Sequence, residues 1–297
     1  MLTINPCNLC PRQCGVNRNI ETGFCGCGNE AKIARAALHM WEEPCISGTR
    51  GSGTVFLSGC TLGCVYCQNH EISRGGVGKT VTAERLAKIF LELQEQGAHN
   101  INLVTATPFL PHVYAALDIA RASLHVPVVY NCGGYERVET IRKLAGYVDV
   151  YLPDIKYFNP ELSRRYSGAA DYFDKASAAV SEMITQTGGL EYGGDGTLRR
   201  GVVIRHLVLP GCRKDSIEIL RWIASELPRE RFLLSLMSQY TPTEHTGKYP
   251  EINRRITSME YDSVVNEAMR LGLTNGYMQQ RGSASESYIP PFDLEGV

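Results

Sequence analysis

From about residue 53 onward, short apolar runs alternate with longer stretches whose apolar residues recur at helical spacing. The runs at 53–58, 101–105, 127–131, 148–152, 202–209 and 232–236 read as buried strands. Between them, 82–96 carries Leu86, Ile89, Phe90 and Leu93 on one helical face behind an N-cap at Thr82. Further helical patterns cover 112–122, 136–145, 160–166, 173–186 and 258–271. Such alternation implies parallel strands joined by right-handed crossovers. About six units predict an α/β fold, a partial (β/α)6 TIM-like barrel rather than a complete barrel of eight, with chemistry at the C-terminal strand ends. The glycine-rich stretch 188–196 reads as a flexible loop without an assigned function. Residues 1–50 break the alternation: they form a Cys-rich N-terminal extension, with 41–51 leading into a barrel at 51–297.

A chain of 297 residues can bury one substantial core. A formal net charge of -1 and a pI near 6.7 leave no electrostatic footprint for nucleic acid or a membrane surface. No apolar run approaches the roughly 20 residues of a membrane span. The first residues, from Met1 and Leu2 to Cys7, lack the charged start and apolar core of a signal peptide. A cytoplasmic protein is therefore expected, and clustering of the 11 cysteines suits thiolate ligands in a reducing compartment.

Three of those cysteines, Cys60, Cys64 and Cys67, fall within eight residues and are interleaved with Gly59 and Gly63. With His70 they would make a Cys3His zinc site; as ordinary thiols they would simply be packed. Held on an iron-sulfur cubane, three thiolates leave one iron open for a substrate. The stretch Arg74-Gly75-Gly76-Val77-Gly78-Lys79-Thr80 imitates a phosphate loop but follows polar residues where a buried strand is needed, so it reads as a glycine-rich connection. A second group, Cys7, Cys10, Cys14 and Cys25, with Cys27 beside it, has spacing suited to zinc, to an auxiliary iron-sulfur cluster, or to plain thiols. Cys45, Cys132 and Cys212 are isolated and read as small buried residues.

The string Cys60-x3-Cys64-x2-Cys67, with Tyr66 before the last cysteine, resembles the motif of the radical S-adenosylmethionine superfamily. Asn131-Cys132-Gly133-Gly134-Tyr135, Leu152-Pro153-Asp154-Ile155-Lys156 and the strand-end segment 204–211 resemble, in order and spacing, motifs of its pyruvate formate-lyase activating enzyme branch. With the N-terminal cysteines, they are similar to a short side branch of that family. The resemblance runs from about residue 53 to the C-terminus. It implies a 4Fe-4S cluster on Cys60, Cys64 and Cys67, and S-adenosylmethionine on the open iron. Lys156 and Arg205 match the cations that contact the cofactor carboxylate, which makes sense because a cation fixes an anionic group. Asp154 matches a carboxylate beside a monovalent-cation site, and Asn131 stands where an aspartate of that site would be. The family's Gly-Gly-Glu motif is absent; Val104-Thr105-Ala106-Thr107-Pro108 takes its place, with the Thr105 backbone available to the methionine amine. Gln239 stands in for a late histidine and is suited to hydrogen-bond the ribose or adenine, with Tyr66 bracketing the nucleoside.

What the resemblance implies is an oxidoreductase that cleaves S-adenosylmethionine reductively to a 5′-deoxyadenosyl radical and abstracts hydrogen from a substrate. The first expectation is an activase acting on a glycyl radical enzyme, with a flavodoxin or ferredoxin as one-electron donor. A radical enzyme modifying a small molecule or peptide is the alternative, and a non-catalytic metal-binding or electron-transfer protein is the reading from another class.

Overall fold

The computed structural model describes residues 3–74, 76–279 and 289–297. Met1 and Leu2, Gly75 of the glycine-rich connection and residues 280–288 of the C-terminal part of the resemblance lie outside the described residues.

Every expected strand forms. They are β2 (Ser52–Leu57), β4 (Ile101–Val104), β5 (Val128–Cys132), β6 (Val150–Pro153), β8 (Leu198–Leu207) and β9 (Phe232–Met237). The helices that follow them are α3 (Ala83–Glu95), α4 (Leu110–Ala120), α5 (Val138–Lys143), α6 (Pro160–Ser167) with α7 (Tyr172–Thr187), α8 (Arg213–Glu226) and α9 (Ser258–Arg270). Thr82 caps α3 by accepting from the Arg85 amide at 3.2 Å. Four strands were not legible: the nine-residue β1 (Ala31–His39) and the short β3 (Lys79–Val81), β7 (Glu191–Tyr192) and β10 (Gly276–Met278). The sheet runs β10-β9-β8-β6-β5-β4-β2-β1-β3. Pairs from β2 to β10 are parallel, and β1 lies antiparallel between β2 and β3. The two ends of this order do not pair among the described residues, so the barrel is partial.

The glycine-rich stretch expected as a free loop is instead the turn of a hairpin, with β7 antiparallel to the start of β8. Asp195 holds it, accepting from Thr197 Oγ1 at 2.6 Å and lying 3.3 Å from His99 Nδ1. The glycine-rich connection follows the short helix α2 (His70–Ser73), not a buried strand.

Period-2 alternation sorts the strand side chains onto two faces. Val128, Tyr130, Ile204 and Leu234 join the helices in the main core. On the other face, Val129, Val150, Leu152, Val203 and Leu233 pack around Cys45 and Ile46. Those two residues belong to α1 (Pro44–Ser47), a single turn that fills the inside of the barrel like a plug. A polar pair faces it where its backbone needs a partner: Asn100, just before β4, donates from Nδ2 to the Ile46 carbonyl at 2.7 Å, and Ser52 Oγ steadies it by donating to Asn100 Oδ1 at 2.6 Å. The segment expected as an extension thus supplies both a strand and the barrel filling. Among the described residues, no helix is long and apolar enough to cross a membrane.

Candidate active site

Strand β2 ends at the cysteine loop. Gly59 and Gly63 both have positive φ, +91° and +67°, and a side chain at either would strike Cys27 Sγ or the Arg74 guanidinium. The loop is therefore pressed between the N-terminal segment and Arg74, which donates to the Leu62 carbonyl at 3.2 Å. Each loop thiol receives one donor: the Leu62 amide reaches Cys60 Sγ at 3.4 Å, Ser167 Oγ reaches Cys64 Sγ at 2.9 Å, and Ser73 Oγ reaches Cys67 Sγ at 3.6 Å. All three are free thiols. Burial raises Cys60 and Cys67, the latter to about 12, and the neighbouring thiols push in the same direction. A positively charged centre would reverse that penalty.

A cavity of about 220 Å³ opens above the loop. It is lined by Cys60, Cys64, Cys67, Thr105, Asn131, Asp154, Lys156, Arg205 and Gln239, nine of the ten residues singled out from the sequence for this site. The tenth, Tyr66, is buried beside it and lines an adjoining cavity of about 210 Å³. Its hydroxyl accepts from Tyr157 at 2.7 Å, and Tyr157 shares a 2.8 Å hydrogen bond with Ser167, so a polar chain runs from Tyr66 to Cys64. Thr105 has φ +60°, a left-handed conformation rare for a branched side chain, and its amide donates to the Asn131 carbonyl at 2.9 Å. Gln239 accepts from Gln279 Nε2 at 2.7 Å.

Asp154 is the hub of the charged wall. It accepts from Arg205 Nε at 2.9 Å and from Lys156 Nζ at 2.5 Å. Burial alone would raise its carboxyl, yet Arg205 and Lys156 outweigh burial and hold it below the ordinary range. Arg205 also donates from Nη1 to Glu42 Oε2 at 3.2 Å and from Nη2 to Asn131 Oδ1 at 2.6 Å. Glu42 sits just before the plug and escaped the sequence reading. So did Glu43, whose Oε2 is buried without a hydrogen-bond partner among the described residues. Burial raises Glu43 despite the opposing pull of Arg205. The one available signal was an acidic pair directly before a Pro-led apolar turn. Glu136 was missed as well: enclosed behind β5, it accepts from Thr107 Oγ1 at 2.7 Å.

The N-terminal thiols lie apart from this cavity. Cys7 and Cys10 are buried, Cys25 is half-buried and Cys14 is exposed. Cys27, left out of the expected quartet, packs against the start of the loop at Gly59, its Sγ 3.5 Å from the Ser58 carbonyl. Arg12 ties the segment down, donating to the Thr61 carbonyl at 2.9 Å and the Ser167 carbonyl at 3.0 Å. His70, the fourth ligand of a zinc site, stacks on His245 with ring centroids 3.7 Å apart. Cys45, Cys132 and Cys212 are buried. Among the described residues no group of three or more Cys, His, Asp or Glu side chains is drawn together tightly enough to hold a metal ion. The chemistry of the donor set nevertheless fits an iron-sulfur cluster at the loop: three free thiols, each with a donor, face a cavity with two cations.

Residues 54–222 match the Radical SAM superfamily model. The chain is 32% identical over 276 residues to an uncharacterized protein of Methanocaldococcus jannaschii, covering 90% of this chain and 75% of that one. The chain belongs to the radical SAM superfamily. Among solved structures it is similar to Streptococcus suis SuiB bound to S-adenosylmethionine, at 13% identity and TM-score 0.51, covering 78% of this chain. The chain spans 51% of SuiB. Methylornithine synthase aligns at 14% identity and TM-score 0.47, covering 76% of this chain and 70% of that one. Superfamily membership implies a 4Fe-4S cluster and S-adenosylmethionine.

Proposed function

We propose that the protein cleaves S-adenosylmethionine reductively and uses the resulting radical to take a hydrogen atom from a glycine of a partner enzyme, as a glycyl radical activase. The observation that carries the radical chemistry is the single cavity that joins Cys60, Cys64 and Cys67 to Lys156 and Arg205. The strand-end motifs around Asn131, Asp154 and Arg205 support the activase reading. When bound, the cluster supplies one electron to the sulfonium, whose carbon–sulfur bond breaks to leave methionine and a 5′-deoxyadenosyl radical.

The residues of this chain bind and orient. Cys60, Cys64 and Cys67 would hold the cluster through their thiolates, and a set of three would leave a position for the cofactor. Arg205 and Lys156 face the cofactor carboxylate, with Asp154 fixing both cations, and the Thr105 carbonyl takes the amine. Gln239 and Tyr66 flank the nucleoside. Phe56, Leu62 and Val104 give the cavity apolar wall, which keeps water from the radical. A flavodoxin or ferredoxin serves as the electron donor. A non-catalytic metal-binding protein has no use for two half-buried cations beside its thiols, and this disfavours that reading.

The test is anaerobic. Reconstituted, reduced protein should form methionine and 5′-deoxyadenosine from S-adenosylmethionine; S-adenosylhomocysteine as the product would overturn the mechanism. Extract from cells grown on α-deuterated glycine should then pass deuterium into 5′-deoxyadenosine from its macromolecular fraction. Label arriving from the low-molecular-weight fraction would instead establish a small-molecule or peptide substrate.

A further inference from the structure

Glu42, Asn131 and Arg205 close a ring of hydrogen bonds at the base of the cavity. Arg205 Nη1 donates to Glu42 Oε2 at 3.2 Å, Arg205 Nη2 donates to Asn131 Oδ1 at 2.6 Å, and Asn131 Nδ2 donates to Glu42 Oε1 at 3.1 Å. Asn102 Nδ2 adds a second donor to Glu42 Oε1, at 3.0 Å. With Asp154 on Nε, the guanidinium is held on three sides and its plane is set before any ligand arrives. These side chains are nearly enclosed: Arg205 is 14% exposed and Glu42 10%.

The ring has a chemical rule built into it. The residue at 131 must offer an acceptor to Arg205 and a donor to Glu42 at once, and an ionised carboxylate has no donor. An aspartate there would set two carboxylate oxygens against each other at the present 3.1 Å spacing. One acid and one amide must therefore share positions 42 and 131, and either order satisfies the ring.

We infer that Glu42, delivered by the segment before the barrel plug, is a positioning residue that aims Arg205 at S-adenosylmethionine, and that Glu42 and Asn131 work as an exchangeable acid–amide pair. The inference rests on the proposed contact between Arg205 and the cofactor. It also accounts for Asn131 standing where the family resemblance calls for an aspartate: the acid of this ring comes from Glu42. Asn102 accommodates the exchange, because its Oδ1 is buried without a partner among the described residues and a turn of the amide would let it accept from a new amide at 42.

The experiment compares wild type, Glu42→Gln, Asn131→Asp and the double variant after cluster reconstitution. Iron and sulfide content, thermal unfolding, S-adenosylmethionine affinity by equilibrium dialysis, and the change in the reduced cluster's paramagnetic resonance signal on adding S-adenosylmethionine are measured for each. Each single variant should bind about 10-fold more weakly with iron content unchanged. The double variant should return to within about 3-fold of wild type and regain the spectral change. Singles that bind like wild type, or a double variant no better than the worse single, would overturn the inference. A fall in unfolding temperature with affinity and spectrum unchanged would make the ring structural only, which also overturns it. If a single variant does not fold, recovery of fold and affinity in the double variant supports the pair, and its failure to recover counts against it. Absence of S-adenosylmethionine binding by wild type would sink the functional reading itself, a result distinct from any of these.

Discussion

Glu136 is enclosed, with one carboxyl oxygen on Thr107 and the other without a partner among the described residues. Burial pushes its carboxyl up to about 8. In the unfolded chain it titrates near 4.5. Between these values the unfolded chain has released the proton that the folded chain keeps, so this group makes stability fall as pH rises from about 4.5 to 8. Urea unfolding at several pH values across that window should show Glu136→Gln losing less stability than wild type, by up to a few kcal/mol. Parallel profiles would mean that Glu136 does not titrate there. The cysteine loop gives a second residue-scale prediction. Cys64→Ala should lose the broad visible absorption of the reconstituted cluster, since it removes a ligand and leaves the Ser167 hydroxyl with Tyr157 alone. Replacing Cys60, Cys64 and Cys67 together, in a background whose Cys7, Cys10, Cys14 and Cys25 are serine, should abolish bound iron and sulfide. Wild-type metal content in that protein would exclude the loop as the cluster site.

Among the elements, the plug α1 is the one whose role differs most from its length. Four residues long, it presents a fully buried Ile46 to four strands. Ile46→Ala should destabilise the protein by about 2–5 kcal/mol, because polar Asn100 and Ser52 beside it limit collapse into the cavity. It should also weaken S-adenosylmethionine binding, since Glu42 is carried on the same segment. An unfolding midpoint equal to wild type would show that the plug is not a packing unit. At the other end of the chain, Thr257 and Glu260 make a reciprocal capping box on α9. Glu260 also accepts from the Gly211 amide at 2.7 Å, so this cap joins the β8–α8 turn to α9. Thr257→Ala should lower stability by about 1 kcal/mol, read from the same unfolding curves.

At the scale of the whole molecule, the N-terminal segment and the barrel depend on each other. β1 covers the edge of β2, the plug fills the interior, and Arg18 is buried while donating to the Cys27 carbonyl at 3.2 Å. A chain restricted to residues 51–297 should therefore lack a cooperative unfolding transition and near-ultraviolet dichroism. Native-like unfolding of that fragment would show the barrel to be autonomous. Removing only the thiols is a milder change. With Cys7, Cys10, Cys14 and Cys25 replaced by serine, slow cleavage of S-adenosylmethionine should persist while stability or turnover on the substrate declines. Unchanged metal content would show that the four thiols are not ligands; loss of cleavage with the main cluster intact would give them a larger part in the chemistry.

Local pattern determined the six parallel strands, the helices between them other than α8, and the three-cysteine loop, because each is a contiguous run whose periodicity or spacing has a physical cause on its own. It also singled out Asp154, Lys156 and Arg205, through the resemblance of the strand ends that carry them. Four strands stayed hidden: β1 is rich in alanine, which has little preference for strands, and β10 is three residues long. Only the tertiary structure decided what the first fifty residues do. Whether Glu42 faces solvent or Arg205 depends on a turn of chain entering the barrel 163 positions away from its partner, and no local pattern encodes that meeting. The same holds for Glu136, which reads as a surface acid until Thr107 and Tyr130 close over it, and for Cys27, which reaches the cysteine loop only because Gly59 leaves room for its sulfur.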